Sequence, residues 1–389
     1  MKAKKLIIVA AIVALLSAPL AAQGVAFDIP AESAILISAE SGQVLFAKNE
    51  TKPLPPASLT KIMTMLLAME AVDRGVARLE DAVPISRYAS SMGGSQVFLS
   101  PNEKFTLEEL LEAVAIASGN DASVAVAEHL AGTEANFVGR MNQRAKELGM
   151  KDTVFANASG LPTPEGEPAC ITTAHDVAIM AREIIVRFPK VLEWTSIWQK
   201  NFRHEPRPFV LTNTNRLIRT YPGADGLKTG HTEAAGFCLA ATAKRDDVRL
   251  ISVVMRTESD TARLEQTTRV LDYGFRAFEQ VFAVVAGENV GLVPVPEGRK
   301  EEVAALAQGD LKLMALRGSQ SELKRELKPL PDLKAPVTKG QVIGDLVVTL
   351  RDEALGSVPV VAAEDVPRAN LLIRLFRWVR DFFRGIFRR

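Results

Sequence analysis

The stretch PPASLTKIMTMLLAMEAV, residues 55–72, places a serine at the head of an apolar run, with a lysine three positions later. Pro55 and Pro56 stop any earlier helix, so the pattern predicts a helix from about Ser58 to Val72. In that helix Ser58 and Lys61 share one face. Two interpretations are open: Ser58 is an ordinary N-cap, or it is a nucleophile with Lys61 as its proton partner.

The catalytic interpretation has a chemical requirement that the rest of the chain must meet. Serine is a weak nucleophile and needs a neighbouring base. A lysine becomes that base only if burial or a second cation lowers its pKa. The segment GADGLKTGHTEAAGF, residues 223–237, offers the second cation at Lys228, followed by the hydroxyl of Thr229. Gly230 would let a substrate backbone approach closely.

Three short motifs therefore occur in chain order. They are S-L-T-K at 58–61, S-G-N at 118–120 between two helical runs, and K-T-G at 228–230. Each is weak alone, but together, with S-G-N where the usual β-lactamase motif reads S-D-N, they correspond to the S-x-x-K, S-D-N and K-T-G set of class A β-lactamases and penicillin-binding proteins. The combination favours a nucleophilic serine over an N-cap.

With these motifs the sequence resembles a low-molecular-mass penicillin-binding protein, a serine-type D-alanyl-D-alanine carboxypeptidase of the peptidase S11 family. The resembling stretches are PASLTKIMT, GGSQVFLSPNEKFTLEELLEAVAIASGNDA, MNQRAKELGM and DGLKTGHTEAAGFCLAATA, and they cover most of residues 30–278. The resemblance implies removal of the terminal D-alanine from peptidoglycan stem pentapeptides, with β-lactam antibiotics as inhibitors and no cofactor.

The resemblance also implies roles for individual residues. Ser58 would be the acylated nucleophile, Lys61 its proton acceptor, and Ser118 a proton relay to the leaving D-alanine. Asn120 would hold the substrate amide and Lys61. The remaining expected substrate-binding residues are Lys228, Thr229, Gly230 and His231, with the backbone N–H groups of Ser58 and His231 as the oxyanion hole.

Three further residues are weaker candidates for the same site. Asp176 matches a family position near the site, but it also reads as an acid at a helix start. Arg256 and Arg263 could touch the substrate carboxylate. The family's glycine-rich run is replaced here by MRTESDTAR, so neither arginine is included among the expected site residues.

The order of predicted elements gives the fold class. Strands at residues 33–50 and 235–255 form two hairpins that bracket a helical middle, and a helix follows at about 261–278. This order predicts an α+β catalytic domain over 24–278, with an antiparallel sheet, flanking helices and an all-α lobe. The resemblance makes it a β-lactamase/transpeptidase-like domain. Residues 279–366 predict a small all-β domain, because short apolar runs alternate with Gly, Pro and charged stretches.

Both ends of the chain carry targeting patterns. Residues 1–23 combine three lysines, an apolar run and small residues, as in a secretory signal peptide; an uncleaved anchor is the alternative. Residues 367–389 predict an amphipathic helix with arginines opposite Trp378 and four phenylalanines. Such a helix lies on an anionic membrane surface or docks on a protein core; the terminal position favours the membrane. We expect an exported protein held peripherally at the outer face of the cytoplasmic membrane.

Composition excludes several other classes. The net charge is +1, which argues against a nucleic-acid partner. The four histidines and two cysteines show no metal-ligand spacing, and a disulfide between Cys170 and Cys238 is allowed but not required. Within the enzyme reading, a β-lactamase using Glu165 or Glu167 and a D,D-endopeptidase stay open. A catalytically idle cell-wall scaffold is the alternative outside it.

Overall fold

The computed structural model describes residues 27–203 and 207–386. These residues form two compact units. One contains residues 27–280 with Met314–Arg317, and the other contains Val281–Leu313 with 318–386. The predicted signal peptide, residues 1–23, lies outside the described residues.

The secondary structure alternates short strands and helices. The strands are β1 Ser33–Ser38, β2 Val44–Lys48, β3 Ala82–Pro84, β4 Lys104–Thr106, β5 Gln199–Arg203, β6 Phe209–Thr212, β7 Ala224–Thr232, β8 Gly236–Arg245, β9 Val248–Thr257, β10 Phe278–Val284, β11 Asn289–Pro294, β12 Glu302–Ala307, β13 Leu311–Leu316, β14 Leu323–Pro329, β15 Val342–Leu350 and β16 Glu353–Ala362. The helices are α1 Lys61–Asp73, α2 Arg87–Ser90, α3 Leu107–Ile116, α4 Asn120–Ala131, α5 Glu134–Glu147, α6 Ala174–Arg187, α7 Lys190–Thr195, α8 Leu217–Thr220, α9 Asp260–Ala277 and α10 Leu371–Ile386.

A five-stranded sheet organises the larger unit, with strand order β2-β1-β9-β8-β7 and antiparallel neighbours throughout. Its strands come from both ends of the segment, which confirms the predicted α+β class. Alternate residues enter two different cores. Ile35 and Ile37 pack into the helical core, whereas Ala34 and Leu36 pack on the α9 side. The sheet is therefore covered on both faces, which explains why β8 and β9 read as nearly continuous apolar runs.

The helical lobe is built around α1, whose residues from Lys61 to Ala71 are all buried. A helix that is mostly apolar and buried on every side belongs inside a domain rather than on its surface. Helices α3, α4, α5 and α6 contact it. α3 begins with a capping box, because Thr106 and Glu109 each accept a hydrogen bond from the other's backbone N–H. This cap fixes where α3 starts, eleven residues before Ser118 of the S-G-N turn.

The smaller unit contains the predicted all-β fold. Its main sheet has strand order β11-β12-β16-β15-β14, and its core is made almost wholly of valine, leucine, isoleucine and alanine. At its end, α10 exposes apolar side chains: Leu371 is 82% exposed and Phe376 is 71% exposed. On another side of the helix, Arg377 bonds Glu301 of the same unit. None of the helices in the part of the chain that the structure describes is long and apolar enough to cross a bilayer.

Several elements differ from the sequence expectations. The hairpin of β5 and β6 was not anticipated, because its strands are short and mostly polar and carry little period-two alternation. The helix predicted at Asn136 begins at Glu134, where Thr133 caps it. The cysteines Cys170 and Cys238 are both buried, free thiols.

Candidate active site

Ser58 lies in a 3₁₀ turn, Ala57–Thr60, directly before α1. The α-helix begins at Lys61, three residues later than the sequence predicts, so the N-cap interpretation of Ser58 is wrong. Ala57, directly before Ser58, has φ +47°, a left-handed conformation that a continuous helix cannot contain. A non-glycine residue in that conformation costs on the order of 1 kcal/mol and persists only where its surroundings hold it. The turn leaves Ser58 partly exposed between buried neighbours.

The Lys61 ammonium nitrogen is fully buried and has three close oxygen neighbours. Its Nζ lies 2.8 Å from Ser58 Oγ, 2.6 Å from Asn120 Oδ1 and 2.7 Å from the Ser159 carbonyl oxygen. Burial lowers the pKa of Lys61 well below its usual value, and the charge of Lys228 lowers it further. As a neutral amine, Lys61 would donate to Asn120 and Ser159 and direct its lone pair at the Ser58 hydroxyl. The geometry therefore suits proton transfer from Ser58 to Lys61.

The S-G-N motif forms the turn between α3 and α4. Ser118 is 3% exposed and has φ +62°, and Asn120 is the first residue of α4. The Asn120 amide donates from Nδ2 to the Gly93 carbonyl at 2.7 Å, while its backbone N–H donates to the Ser95 carbonyl. Because Nδ2 is committed to Gly93, the side-chain oxygen of Asn120 is turned toward Lys61.

The K-T-G motif lies inside β7, the edge strand of the sheet. Lys228 is 1% exposed and Thr229 is 5% exposed. Burial lowers the pKa of Lys228 to about 7, and the neighbouring cation Arg263 adds to this. Thr229 shares a hydroxyl–hydroxyl hydrogen bond of 2.7 Å with Thr214. These groups gather positive charge and hydroxyl donors at one end of the site, as an anionic ligand requires.

Gly230 brings this strand against the turn that carries Ser58. A Cβ atom on Gly230 would lie 2.9 Å from the Pro56 carbonyl oxygen and 3.3 Å from both Ala57 Cβ and the Ser58 backbone nitrogen. The sequence predicts that Gly230 lets a substrate backbone approach closely. The structure shows that the protein's own backbone already occupies that space, so the absent side chain is required to assemble the site.

His231 lies on β7 itself, next to Gly230. Its exposed ring packs against Phe237, with 4.0 Å between the ring centroids. Its backbone follows the glycine that touches the Ser58 turn. His231 therefore places its backbone next to the turn that carries Ser58.

Of the two arginines considered from the sequence, the structure brings Arg263 into the site. Its Nη1 lies 3.5 Å from the Gly230 carbonyl and 3.4 Å from the Cys238 carbonyl, and its Nε is buried with no hydrogen-bond partner among the described residues. Its Nη2 pairs with Asp260 in the same helical turn, whereas Arg256 pairs with Glu32 and is 45% exposed. Arg263 comes from the first turn of α9, and only the packing of α9 on the sheet reveals that this turn reaches β7.

The other acidic candidates take structural or exposed positions. Asp176 sits in the first turn of α6, where it accepts hydrogen bonds from the Thr153 hydroxyl and the Asp152 backbone. Of the two interpretations of Asp176, a residue near the site or an acid at a helix start, the structure supports the second. Glu165 and Glu167, the residues considered for a β-lactamase, are exposed on a loop. No cluster that could hold a metal ion occurs within residues 27–203 and 207–386.

Two supporting groups were not anticipated from the sequence. They are the Ser159 carbonyl that accepts from Lys61 and the Gly93 carbonyl that orients Asn120. Both groups are backbone carbonyl oxygens, which every residue has, so the residue types at these positions do not predict the contacts. Only the path of the chain brings them to the site.

Comparison with known proteins agrees with this geometry. A family model described as D-alanyl-D-alanine carboxypeptidase matches residues 19–259, and one described as the C-terminal domain of penicillin-binding protein 5 matches residues 278–368. The D-alanyl-D-alanine carboxypeptidase DacF of Bacillus subtilis is 42% identical over 354 residues, which is 90% of each chain.

Solved structures give the same result. Penicillin-binding protein 5 from Haemophilus influenzae has a TM-score of 0.79 at 33% identity, covering 89% of this chain and all of that one. Penicillin-binding protein D2 from Listeria monocytogenes, solved in an ampicillin-bound form, has a TM-score of 0.58 at 31% identity, covering 65% of this chain and all of that one. On the motifs, the fold and these matches, the chain belongs to the D-alanyl-D-alanine carboxypeptidases of the peptidase S11 family.

Proposed function

We propose that this carboxypeptidase removes the terminal D-alanine from peptidoglycan stem pentapeptides through an acyl-enzyme on Ser58. One observation carries the proposal: the buried amine of Lys61 lies 2.8 Å from the Ser58 hydroxyl and has a strongly lowered pKa. A lysine in that state is the base that a serine nucleophile needs.

The acylation step follows from the contacts around Lys61. The Ser58 hydroxyl gives its proton to Lys61 as its oxygen attacks the carbonyl carbon of the penultimate D-alanine. The bond to the terminal D-alanine nitrogen then breaks, and Ser118 relays a proton to that nitrogen. Water hydrolyses the resulting ester and releases the shortened peptide. General acid–base assistance of this kind contributes about 10²–10⁴-fold to a rate.

The developing oxyanion would be held by the backbone N–H groups of Ser58 and His231. The approach of Gly230 to the Ser58 nitrogen supports this assignment, because His231 follows directly on the same strand. Removing one donor from such a hole typically costs about 10²–10³-fold in kcat.

The carboxylate of the terminal D-alanine would bind at Lys228 and Thr229, where Arg263 adds a second cation. These groups are buried, so their attraction for an anion is weakly screened. This arrangement would select a free C-terminal carboxylate, as a carboxypeptidase requires. β-Lactams carry a comparable carboxylate beside a reactive amide, and we expect them to acylate Ser58.

We also assign the protein to the outer face of the cytoplasmic membrane. The basic, apolar and small-residue order of residues 1–23 supports export. The apolar side chains exposed at the start of α10, with Arg377 turned to Glu301, support peripheral attachment to a membrane surface. Removing residues 368–389 should release the protein from membranes and leave activity on small peptides intact. A truncated protein that still sediments with membranes would contradict the anchor.

The decisive experiment is the intact mass of the full-length chain mixed with benzylpenicillin, beside Ser58→Ala, together with D-alanine release from a pentapeptide. A lasting penicilloyl adduct in the wild type alone, with D-alanine release, is the expected result. Rapid drug destruction without an adduct would indicate a β-lactamase. Cleavage of cross-linked peptides without D-alanine release would indicate an endopeptidase, and no reaction at all would indicate a scaffold.

A further inference from the structure

The two hydrogen-bond acceptors that orient Lys61 belong to different parts of the chain. One is the Asn120 side chain, which is itself held by the Gly93 carbonyl in the segment after α2. The other is the carbonyl of Ser159, in the loop of residues 157–160. The direction of the Lys61 lone pair depends on both acceptors. A group that links the two segments carrying these acceptors therefore affects the orientation of Lys61.

The 157–160 loop is packed tightly against the catalytic turn. A Cβ atom on Gly160, which has φ +78°, would lie 1.8 Å from the Ala57 carbonyl oxygen. The Asn157 side-chain oxygen accepts from the backbone N–H groups of Ser159 and Gly160 at 3.2 and 2.6 Å. A small displacement of this loop would therefore move both the Ser159 carbonyl and the turn that carries Ser58.

The peptide groups of Ala158 are held from two sides. Its carbonyl accepts from the Thr64 hydroxyl of α1 at 2.7 Å, and its N–H donates to Glu134 Oε1 at 2.8 Å. Thr64 is buried next to the base on the same helix. Glu134 comes from a separate element, α5, and therefore ties the loop to that helix.

The second oxygen of Glu134 reaches the other support. Tyr88, in α2, donates its hydroxyl to Glu134 Oε2 at 2.7 Å, and that contact helps raise the pKa of Tyr88 to about 12. α2 leads directly into the segment whose Gly93 carbonyl orients Asn120. The carboxylate stands in the first turn of a capped helix, where the helix dipole stabilises a negative charge.

We propose that Glu134 is a positioning residue for the catalytic lysine: its two carboxylate oxygens join the segment that orients Asn120 to the loop that presents the Ser159 carbonyl. This inference rests on the proposed function of Lys61 as the base. Glu134 acts through backbone groups and does not touch the reacting atoms. It sets the rate of acylation and leaves substrate affinity unchanged.

The test is benzylpenicillin acylation of the full-length chain, separated into a binding constant and an acylation rate. Glu134→Met keeps the volume and helix propensity but has no acceptor. Its acylation rate should fall by about 10–100-fold with an unchanged binding constant, since a misplacement near 1 Å can cost that much. Glu134→Gln can accept from the Ala158 N–H and donate to the Tyr88 oxygen, so it should stay within about threefold of wild type.

Two further variants complete the design. Tyr88→Phe removes the hydrogen bond from the Tyr88 hydroxyl to Glu134. Its acylation rate should fall less, by about threefold, with the binding constant again unchanged. Glu147→Ala, at the exposed end of the same helix, is the matched control and should match wild type. Melting temperatures are measured for all variants. If Glu134→Met is unfolded at the assay temperature, Tyr88→Phe decides the matter, and acylation of that variant at the wild-type rate would overturn the positioning role.

The outcomes separate this inference from the proposed function. A wild-type protein that does not acylate would overturn the proposed function itself. If the wild type acylates and the Glu134→Met and Tyr88→Phe variants acylate at the same rate, this result would overturn only the positioning role. So would a Glu134→Gln variant as slow as Glu134→Met, or a loss confined to the binding constant.

Discussion

Lys61 and Lys228 are both fully buried lysines at the same site, yet their surroundings prepare them for different chemistry. Lys61 stands at the start of α1 with three close oxygens, one of them the Ser58 hydroxyl. Lys228 stands on an edge strand, and its ammonium donates to the carbonyl of its neighbour Thr229 at 3.0 Å. Burial lowers both pKa values. Desolvation therefore lowers the pKa of a buried lysine, whereas its partners decide whether it moves a proton or holds an anion.

Replacing the base is the strongest way to test this contrast. Lys61→Met retains the buried volume but has no nitrogen to accept the Ser58 proton. We expect acylation by benzylpenicillin to slow by about 10³–10⁴-fold, near the upper limit for a general base. The acylation rate, measured by intact mass over time, provides the check. A variant that acylates at wild-type speed would show that another group takes the proton.

Replacing the second lysine should affect binding instead. Lys228→Met removes a buried cation from the expected carboxylate site, and kcat/KM for a pentapeptide should fall by about 10²-fold, mainly through KM. An amidated peptide without the terminal carboxylate should lose far less. Equal losses on both peptides would contradict the assignment of Lys228 to the carboxylate.

The same variant tests a pH dependence. Because the pKa of Lys228 in the folded enzyme is about 7, the cation is present below that pH and lost above it. KM for the pentapeptide should therefore rise above pH 7 in the wild type but not in Lys228→Met. The unfolded chain has a lysine pKa near ~10.4 and binds the proton that the folded chain releases. Hence the unfolding free energy of the wild type, relative to Lys228→Met, should increase between pH 7 and ~10.

The contact between the two lysine-bearing segments can be disturbed directly. Gly230→Ala places a methyl group against the Pro56 carbonyl and the Ser58 nitrogen. A shift of a few tenths of an ångström should slow acylation by about tenfold, because the nucleophile and oxyanion donors lose alignment. Gly139→Ala, in open space on α5, serves as the control and should leave the rate unchanged. Wild-type acylation in both variants would show that the close approach has no catalytic consequence.

The smallest expected effect comes from Arg263, which helps to lower the pKa of Lys228. Arg263→Gln should raise KM for the pentapeptide by about fivefold and shift the rise of KM with pH to higher pH. Arg256→Gln, which removes an exposed arginine paired with Glu32, is the control. Identical pH profiles for wild type and Arg263→Gln would exclude an electrostatic connection between the two cations.

Local patterns predicted the elements well where apolar periodicity was strong. The hairpin of β1 and β2, the helices on either side of S-G-N and the long helix α9 all appear within a few residues of the expected bounds. The start of α1 was wrong, because nothing in PPASLT shows that Ala57 adopts a left-handed conformation. That conformation is held by neighbours such as Gly160, about a hundred residues away in sequence.

The family, the α+β class and the chemical types at the site can be predicted from the sequence, because S-x-x-K, S-G-N and K-T-G each occupy a short stretch whose order can be read directly. The folded chain alone reveals which arginine reaches β7, which backbone carbonyls hold Lys61 and Asn120, and which backbone packs against Gly230. Those features depend on distances between segments far apart in the chain. Every residue has a backbone carbonyl, and packing distances are set by the whole fold. These features therefore cannot be predicted from residue types, and they are known only once the sheet and the helices have packed around the site.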